Sequence, residues 1–520
     1  MDTSSSKRPS IIQLFSYLKY FVLILFLGFV FLFYLQKITF VTADLGRHLK
    51  NGELFFTKQL ILRNNYYSYT EPQFKTITHH WGAGVGFYLI WKWLGFAGLS
   101  LFNALFCFLA FGFFFYISWK RTNLAYTIFF SLLALPLFTF RTEIRPETFS
   151  YFFLSVFYLI LTLYSINKIN RRWLWLLPII QLFWVNTHIF FILGPALIGV
   201  YIVENLINNR KNVKKLSILF LIALFVCLIN PFGLRGALEP LTIFKAYGYR
   251  LAENQPVFFM QKMFFNPAYY QYEILVILAA IGIIMSVIIR SIRNNLSDTA
   301  LLFIFAFMAG KAVRMFPLFG FVFIPIVSNM YYIFSKEKLA DFQTSINYFL
   351  GIFGTLIIVF GVIAGRQYYS PFSPMLGVGL VKGVENSAVF YQKYHLQGPI
   401  FNNYDIGGYL IFYLFPKSRV FVDNRPESYS VDFFQKTYIP MQENEQVWQK
   451  NLKKYQFNTI YFYRQDYTPW GQAFLISRVK DSDWAPVYVD DLTIIFLKRN
   501  FTNKQLIEKF ELPKSIFKIS

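Results

Sequence analysis

The sequence has few cysteines, few charged residues and few acidic residues, and two of these shortages each exclude a class of protein. Cys107 and Cys227 are the only cysteines in 520 residues, and both lie in apolar runs. A disulfide-rich secreted scaffold is therefore excluded. Charged residues make up 15% of the chain, against about a quarter in soluble domains. A string of soluble domains is therefore excluded as well.

Apolar and aromatic residues dominate instead, with 56% of residues hydrophobic and 21% aromatic. They form runs long enough to cross a bilayer, so the composition predicts a polytopic membrane protein. Acidic residues are outnumbered, and the net charge of +23 comes from short basic clusters between the apolar runs. Such clusters are typical of cytoplasmic loops and of contacts with anionic headgroups. We therefore expect membrane lipids, and no nucleic acid, as partners.

The distribution of basic clusters predicts the orientation. Lys7 and Arg8 precede an apolar run from 11 to 35, which is too long for a secretory signal and lacks a small-residue cleavage site. We expect an uncleaved anchor in the inner membrane with a cytoplasmic N-terminus. The later basic clusters can also be cytoplasmic if the chain between neighbouring clusters forms a hairpin of two membrane helices, which gives four hairpins with their tips outside. The segment 85–98 is short, carries a lysine between two tryptophans and is typical of an interfacial helix. This interpretation gives about eleven spans.

Two domains are expected. Residues 1–365 form an all-α polytopic membrane domain, in which 37–98 is a first external loop with juxtamembrane helices. Residues 366–520 have the charge density of a soluble domain and alternate short apolar runs with helical patterns. They predict a C-terminal extracytoplasmic α/β domain. Its strands are expected at 398–402, 419–423, 458–463, 486–489 and 493–497, and its helices at 409–414, 430–438, 446–455 and 472–479.

A carboxylate and two basic side chains follow the first span. Asp44 comes first, and Arg47 and His48 lie one turn later. At a membrane surface, such a carboxylate can act as a general base or hold a metal that bridges a substrate phosphate. The alternative is an ordinary helix start, with Thr42 or Asp44 as N-cap and the basic side chains solvated.

The first hairpin tip contains a second polar group. Arg145 and Glu147 flank a proline there, with Arg141 and Glu143 close by in sequence. The planar guanidinium fork suits a phosphate or diphosphate. The alternative is a helix that begins at Pro146, with the acidic residue favoured by the helix dipole and arginine reaching toward headgroups.

Other polar residues fall on the same predicted face. His80 precedes the interfacial helix, Asn186 and His188 interrupt an apolar stretch, and Lys311 and Arg314 end a span. Intramembrane polar groups are costly and tend to face a cavity or a partner. A phosphate-bearing ligand would explain the two cations. The alternative for His80 is a loop anchored by an interfacial tryptophan, and for Asn186 and His188 it is a hydrogen bond between helices. For Lys311 and Arg314 the alternative is snorkelling to headgroups.

Short motifs spread over most of the chain resemble those of one membrane-protein superfamily. They are Asp44-Leu-Gly-Arg-His48-Leu-Lys-Asn-Gly52, Asn65-Tyr-Tyr-Ser68-Tyr-Thr70, His80-Trp81, Arg145-Pro-Glu-Thr-Phe-Ser150, Trp184-Val-Asn-Thr-His188, Asn230-Pro-Phe-Gly233, Lys311-Ala-Val-Arg314, Phe401-Asn-Asn-Tyr-Asp405-Ile-Gly-Gly-Tyr409 and Arg419-Val-Phe-Val-Asp423-Asn-Arg425. With them the chain resembles the bacterial polytopic proteins of the GT-C glycosyltransferase superfamily, which includes the protein O-mannosyltransferases and related lipid-linked-sugar transferases.

The resemblance implies a GT-C-like fold and an inverting transfer of sugar from a polyprenyl-phosphate or polyprenyl-diphosphate donor to an extracytoplasmic glycan, lipid or protein. It implies that Asp44 is the catalytic base or a metal ligand. Mg²⁺ or Mn²⁺ is the candidate cofactor, with Glu143 and Glu147 as further candidate ligands. Many members carry an acidic pair where Asp44 stands alone, so metal dependence stays open. The substrate-binding candidates are Arg47, His48, His80, Arg145, Glu147, Asn186, His188, Lys311 and Arg314.

Two turns in the outer domain, at 405–408 and 423–425, can bind a glycan or can be plain turns. Two other function classes also stay open: a transporter or flippase of a lipid-linked saccharide, and a non-catalytic membrane scaffold. Transporters tend to show repeated halves and polar sites near the midplane. This sequence shows no internal repeat and places its polar residues at one face.

Overall fold

The computed structural model describes residues 11–208, 212–242, 245–368 and 375–517, which are mostly helical and carry a small sheet near the C-terminal end. The helices that precede the sheet are α1 (Ile11–Tyr34), α2 (Leu45–Lys58), α3 (Trp81–Arg121), α4 (Leu124–Phe138), α5 (Glu147–Ser165), α6 (Leu176–Thr187), α7 (Leu193–Ile207), α8 (Val213–Val226), α9 (Gly233–Leu238), α10 (Val257–Met263), α11 (Pro267–Ile288), α12 (Leu296–Lys311), α13 (Phe316–Lys338) and α14 (Gln343–Tyr368).

Among the described residues, six helical stretches are long and apolar enough to cross a membrane, and the protein is an integral membrane protein. They are Trp81–Arg121, Glu147–Ser165, Ile189–Ile207, Pro267–Ile288, Val313–Lys338 and Ala340–Phe360. Two shorter apolar helices are Lys19–Tyr34, which belongs to the expected anchor, and Leu124–Phe138. The count of about eleven spans stays a prediction, as do the inner-membrane location and the cytoplasmic N-terminus. Lys7 and Arg8 lie outside the described residues.

The predicted interfacial segment 85–98 lies in the first part of α3. That helix is interrupted at Gly95, whose φ of 62° and ψ of −164° are readily adopted only by a residue without a Cβ. Trp93, just before the break, is 74% exposed. The kink therefore separates a segment that packs on α2 from a longer one that joins the apolar bundle, and an interfacial position for the first segment stays a prediction.

The apolar bundle is built around α13. All side chains from Phe316 to Met330 are buried, as expected for a helix that is apolar on every side. Polar contacts tie the bundle together at one end, where Arg121 Nη2 lies 2.5 Å from Asp298 Oδ2 and Tyr158 donates a hydrogen bond to the same carboxylate at 3.2 Å. Asp298 lies in the first turn of α12, the opposite end from the candidate site described below.

The C-terminal part contains four strands and six helices within the described residues. They are α15 (Asn386–Lys393), β1 (Ile400–Asn402), α16 (Gly407–Leu414), α17 (Pro440–Glu443), α18 (Glu445–Tyr455), β2 (Thr459–Tyr463), α19 (Pro469–Lys480), β3 (Trp484–Val489), β4 (Thr493–Lys498) and α20 (Lys504–Phe510). The sheet order is β1-β2-β4-β3, with β1 parallel to β2 and the other pairs antiparallel. The strands predicted at 398–402, 458–463, 486–489 and 493–497 match β1, β2, β3 and β4.

The strand predicted at 419–423 is wrong. This apolar segment pairs with an irregular stretch of the first external loop rather than with a strand, and forms only a single bridge between Val420 and Ser68. The backbone of Val420 donates to the Tyr67 carbonyl and accepts from the Tyr69 amide, both at 3.2 Å. The helix predicted at 430–438 is present, since residues 431–432 are helical and continue into the π-helix Phe433–Tyr438.

The first external loop and the C-terminal part share one apolar core. It contains side chains from Ile38 to Leu99 on one side and from Val384 to Ile507 on the other. Glycines allow the closest approach, since a Cβ at Gly46 would overlap the Gly408 carbonyl oxygen. The segment that carries Asp44 is therefore fixed against the C-terminal part. A domain boundary at 365/366 stays a prediction.

Candidate functional site

A cavity of about 90 Å³ lies where the first external loop, the start of α5 and the C-terminal part meet. Its walls come from segments that are far apart in sequence. Six of the predicted site residues line it: Asp44, Arg47, His80, Arg145, Glu147 and Arg314.

Asp44 immediately precedes α2, but its carboxylate makes no capping hydrogen bond. It faces two guanidinium groups instead, with Oδ2 lying 3.5 Å from Arg145 Nη1 and 3.9 Å from Arg47 Nη2. Burial raises the pKa of Asp44, and the two arginines lower it by less. The result is a carboxylate that is more basic than an ordinary aspartate and is held beside fixed positive charge.

Three arginines converge on Glu253, which sequence reasoning missed. Its carboxylate lies 2.7 Å from Arg141 Nη2, 3.2 Å from Arg145 Nη1 and 3.5 Å from Arg314 Nη1. Burial alone would raise the pKa of Glu253, but the three guanidinium groups outweigh it and lower the pKa to about 2. Glu253 lies in the long connection between α9 and α10 as an isolated acid without a motif, so no local pattern marks it.

Glu147 begins α5 and lies at the centre of a second group of ion pairs. Its Oε1 lies 3.0 Å from Arg314 Nη2 and 3.6 Å from Arg141 Nη1, and its Oε2 lies 3.8 Å from His188 Nε2. The two carboxylates thus share arginines, and the cluster alternates positive and negative groups around the cavity.

The three carboxylates considered as metal ligands do not fit that role. Asp44 and Glu147 face arginines at 3.0–3.9 Å, and the half-exposed Glu143 lies 3.9 Å from Arg145 Nε. In the part of the chain that the structure describes, no group of three or more His, Cys, Asp or Glu side chains is placed to hold a metal ion. A carboxylate that is neutralised by a guanidinium is a poor donor for a divalent cation, so we derive no step through a metal.

Four histidines form an uncharged wall next to these ions. The rings of His80 and His188 stack at 5.0 Å, and His48 and His79 lie 5.6 and 4.0 Å from His80. Burial lowers the pKa of His48 and His80 and lowers that of His79 to about 4. His188 Nδ1 is held by the Ser150 hydroxyl at 2.7 Å. Neutral imidazoles can donate or accept hydrogen bonds without repelling the arginines.

Two predicted site residues lie elsewhere. Lys311 is exposed at the end of α12, with its Nζ 5.6 Å from the centre of the Phe307 ring. Asn186 links structural elements, because its Oδ1 accepts from Trp81 Nε1 at 3.0 Å and its Nδ2 donates to the Ile229 carbonyl at 3.0 Å. The interhelical alternative thus describes Asn186, and neither side chain lines the cavity.

Buried polar atoms that make no hydrogen bond within the described structure gather at this site. They are Arg47 Nε, both ring nitrogens of His48, Nε2 of His80 and of His188, Arg141 Nη1, Nε of Arg145 and of Arg314, and both side-chain amide atoms of Asn424. Each such atom costs about 1–3 kcal/mol when it is left without a partner. So many in one place mark a polar site whose hydrogen bonds are completed by water or by a ligand.

A larger groove, of about 510 Å³, opens beside the cavity. Apolar side chains such as Phe33, Leu135 and Phe265 line it, together with the direct neighbours of Asp44, Ala43 and Leu45. The groove therefore reaches the segment that carries Asp44 from the side of the helical bundle.

No protein-family model and no curated protein matches the sequence. Solved structures do share its fold. The archaeal oligosaccharyltransferase AglB from Archaeoglobus fulgidus, in complex with an inhibitory peptide and a dolichol-phosphate, gives a TM-score of 0.59 at 12% identity, over 91% of this chain and 74% of its own. The apo form of the oligosaccharyltransferase from that organism gives 0.58 at 12% identity, over 93% and 75%.

A weaker likeness links the chain to ArnT from Cupriavidus metallidurans in the apo state, with a TM-score of 0.44 at 13% identity over 97% of this chain and 100% of the other. The two archaeal structures confirm at the level of fold what the motifs resemble. The chain shares the fold of these archaeal oligosaccharyltransferases.

Proposed function

We propose that the protein is a membrane glycosyltransferase that moves a sugar from a polyprenyl-phosphate or polyprenyl-diphosphate carrier to an extracytoplasmic acceptor, which is a glycan, a lipid or a protein. The observation that carries the proposal is the meeting of Asp44 with Arg145 and Arg314 around one cavity, where Arg141 joins them through the shared Glu253 carboxylate. A base and several fixed cations are the two components that displacement of a phosphate leaving group requires.

The groove next to the cavity supports a lipid-linked donor. An isoprenoid chain lying against Phe33 and Leu135 would bring its phosphate close to Asp44, because Ala43 and Leu45 belong to the same groove. The archaeal structure with this fold is a complex with a dolichol-phosphate. A lipid-linked donor for this chain agrees with both observations.

In the proposed reaction the acceptor hydroxyl oxygen forms a bond to the anomeric carbon as the bond from that carbon to the phosphate oxygen breaks. The hydroxyl proton passes to the Asp44 carboxylate, and the bonding electrons leave with the lipid phosphate. A positioned base contributes typically about 10²–10⁴-fold in rate. The raised pKa of Asp44 suits this task, because a more basic carboxylate accepts the proton more readily.

Charge that develops on the departing phosphate would be stabilised by Arg145, Arg141 and Arg314. In the structure these arginines contact the Glu253 carboxylate. A phosphate therefore competes with Glu253 for the same guanidinium groups, and its binding requires Glu253 to share or release them.

The function is tested by offering purified protein in sealed vesicles a panel of polyprenyl-phosphate and polyprenyl-diphosphate sugars with glycan, lipid and peptide acceptors. Release of sugar-free lipid phosphate together with a glycosylated acceptor supports a transferase. Movement of an intact lipid-linked sugar across the bilayer without release would favour the flippase alternative. Neither release nor movement with any donor would contradict the proposal and favour a scaffold.

A further inference from the structure

Asn424 is a polar side chain that the fold leaves unsatisfied. It lines the same cavity as Asp44 and Arg145. Both its Oδ1 and its Nδ2 are buried, and neither makes a hydrogen bond within the described structure. A side-chain amide has two donors and two acceptor sites, so its burial without partners is costly unless a ligand supplies them.

The two residues beside Asn424 are held rigidly. Asp423 and Arg425 form a bidentate buried pair, with Nε and Nη2 of the arginine each 2.7 Å from a carboxylate oxygen. The Tyr429 hydroxyl donates to Asp423 at 3.0 Å, and Arg425 donates to Asn65 Oδ1 at 2.9 Å. The charged groups of this turn are therefore fully engaged in structure. Of these three residues, Asn424 is the one that lines the cavity.

Asn424 also lies close to the backbone of the segment that carries Asp44. A Cβ placed on Gly408 would lie 3.3 Å from Asn424 Nδ2 and 2.8 Å from the carbonyl oxygen of Ala43, the residue before Asp44. Gly408 thus lies between Asn424 and the backbone of Ala43, where there is no room for a side chain. Glu427, three residues further along the chain, lines the same wall. This wall of the C-terminal part faces the arginines without contributing a cation of its own.

We propose that Asn424 binds hydroxyl groups of the donor sugar and so helps to select which sugar is transferred. The inference rests on the proposed function. Arginines on one wall match the phosphate, whereas a neutral amide that can both donate and accept matches the hydroxyls of the sugar attached to it. Glu427, whose carboxylate can accept hydrogen bonds from hydroxyls, would act beside it. Its pKa is raised by burial, with Arg47 lowering it by less.

The test is a binding comparison that does not depend on turnover. Affinity for polyprenyl phosphate and for the same lipid phosphate carrying glucose, mannose or arabinose is measured by titration of the detergent-purified protein. The ratio of the two affinities isolates the contribution of the sugar. The variants are Asn424→Ala and the isosteric Asn424→Asp, and the matched control is Asn500→Ala, an exposed asparagine whose side chain bonds to Asn458 in the C-terminal part.

We expect the wild type and Asn500→Ala to bind at least one sugar-bearing lipid more tightly than the sugar-free lipid. Asn424→Ala should bind the sugar-bearing lipid about ten-fold more weakly than the wild type does, the equivalent of one or two hydrogen bonds. Its affinity for the sugar-free lipid should be unchanged. Asn424→Asp, which retains only acceptors, should shift the preference among the three sugars. Thermal midpoints near that of the wild type show that both variants are folded.

Several outcomes overturn the inference. One such outcome is that Asn424→Ala prefers the sugar-bearing lipid as strongly as the wild type does, and another is that no sugar increases the affinity of the wild type. Either result would show that Asn424 does not bind the donor sugar. The proposed function would still be supported by lipid-phosphate binding and sugar transfer. If the wild type binds none of the lipid phosphates, the proposed function fails and the inference fails with it.

Discussion

Replacement of Glu253 by glutamine tests the charge balance of the site. The carboxylate is 27% exposed and contacts three arginines at 2.7–3.5 Å. These contacts lower its pKa from 4.5 to about 2. A shift of this size corresponds to roughly 3 kcal/mol of stabilisation at neutral pH. We therefore expect Glu253→Gln to lower the free energy of unfolding by roughly that amount.

The sign of the pH dependence follows from the direction of the shift. A carboxyl whose pKa is depressed in the folded state stabilises it fully above the unfolded pKa and loses that contribution as the pH falls toward the folded value. The difference in stability between wild type and Glu253→Gln should therefore be full at pH 7 and fall to roughly half by pH 3. Unfolding in detergent micelles, followed by tryptophan fluorescence against pH, measures it.

Glu143→Gln is the matched control. It makes the same chemical change beside Arg145, but Glu143 is half-exposed and lies 3.9 Å from Arg145 Nε. Exposed pairs are worth about 0–1 kcal/mol. Equal stabilities of Glu253→Gln and Glu143→Gln at pH 7, or a Glu253→Gln effect that does not change with pH, would refute the assignment of Glu253 to the arginine cluster.

Three further predictions concern other parts of the molecule. Asp298→Asn breaks the buried pair with Arg121 and should destabilise the protein by about 3–5 kcal/mol without changing the affinity for lipid phosphate. An unchanged unfolding midpoint would contradict this. Because burial raises the pKa of Asp44, the initial transfer rate should fall on acidification at a pH above 3.8, the ordinary value for aspartate, and a rate that is constant down to pH 4 would rule Asp44 out as the base. Gly46→Ala would collide with Gly408 and should expose the C-terminal part to limited proteolysis, whereas wild-type protection would show that the contact is dispensable.

The fold could be predicted largely from the sequence because membrane helices and small sheets have strong periodic signals. The strands at β1, β2, β3 and β4 follow short apolar runs that are bounded by turn residues. The segment 419–423 has the same pattern but lies against the loop around Ser68, so its partner has no strand register. Periodicity reports the burial of a segment and not the identity of its neighbour.

The site could be predicted in part, because charge parity along the chain placed several polar loops on one face. The structure brings Asp44, Arg145 and Arg314 around one cavity, as that reasoning expects. Lys311 lies outside the cavity. It ends α12, and the spacing of residues in the sequence does not specify the direction of a side chain at a helix end. Glu253 and Asn424 reach the cavity through loop conformations, and such contacts leave no periodic signal.

The most direct test of the central claim is sugar transfer by Asp44→Asn, measured in one turnover with the best donor from the panel. Glu53→Gln serves as the control, since this partly exposed carboxylate lies on α2, the helix that Asp44 precedes, and pairs with Lys50 at 2.6 Å. We predict that Asp44→Asn binds the donor but transfers sugar about 10²–10⁴-fold more slowly, while Glu53→Gln transfers at the wild-type rate. A wild-type rate for Asp44→Asn would contradict the account.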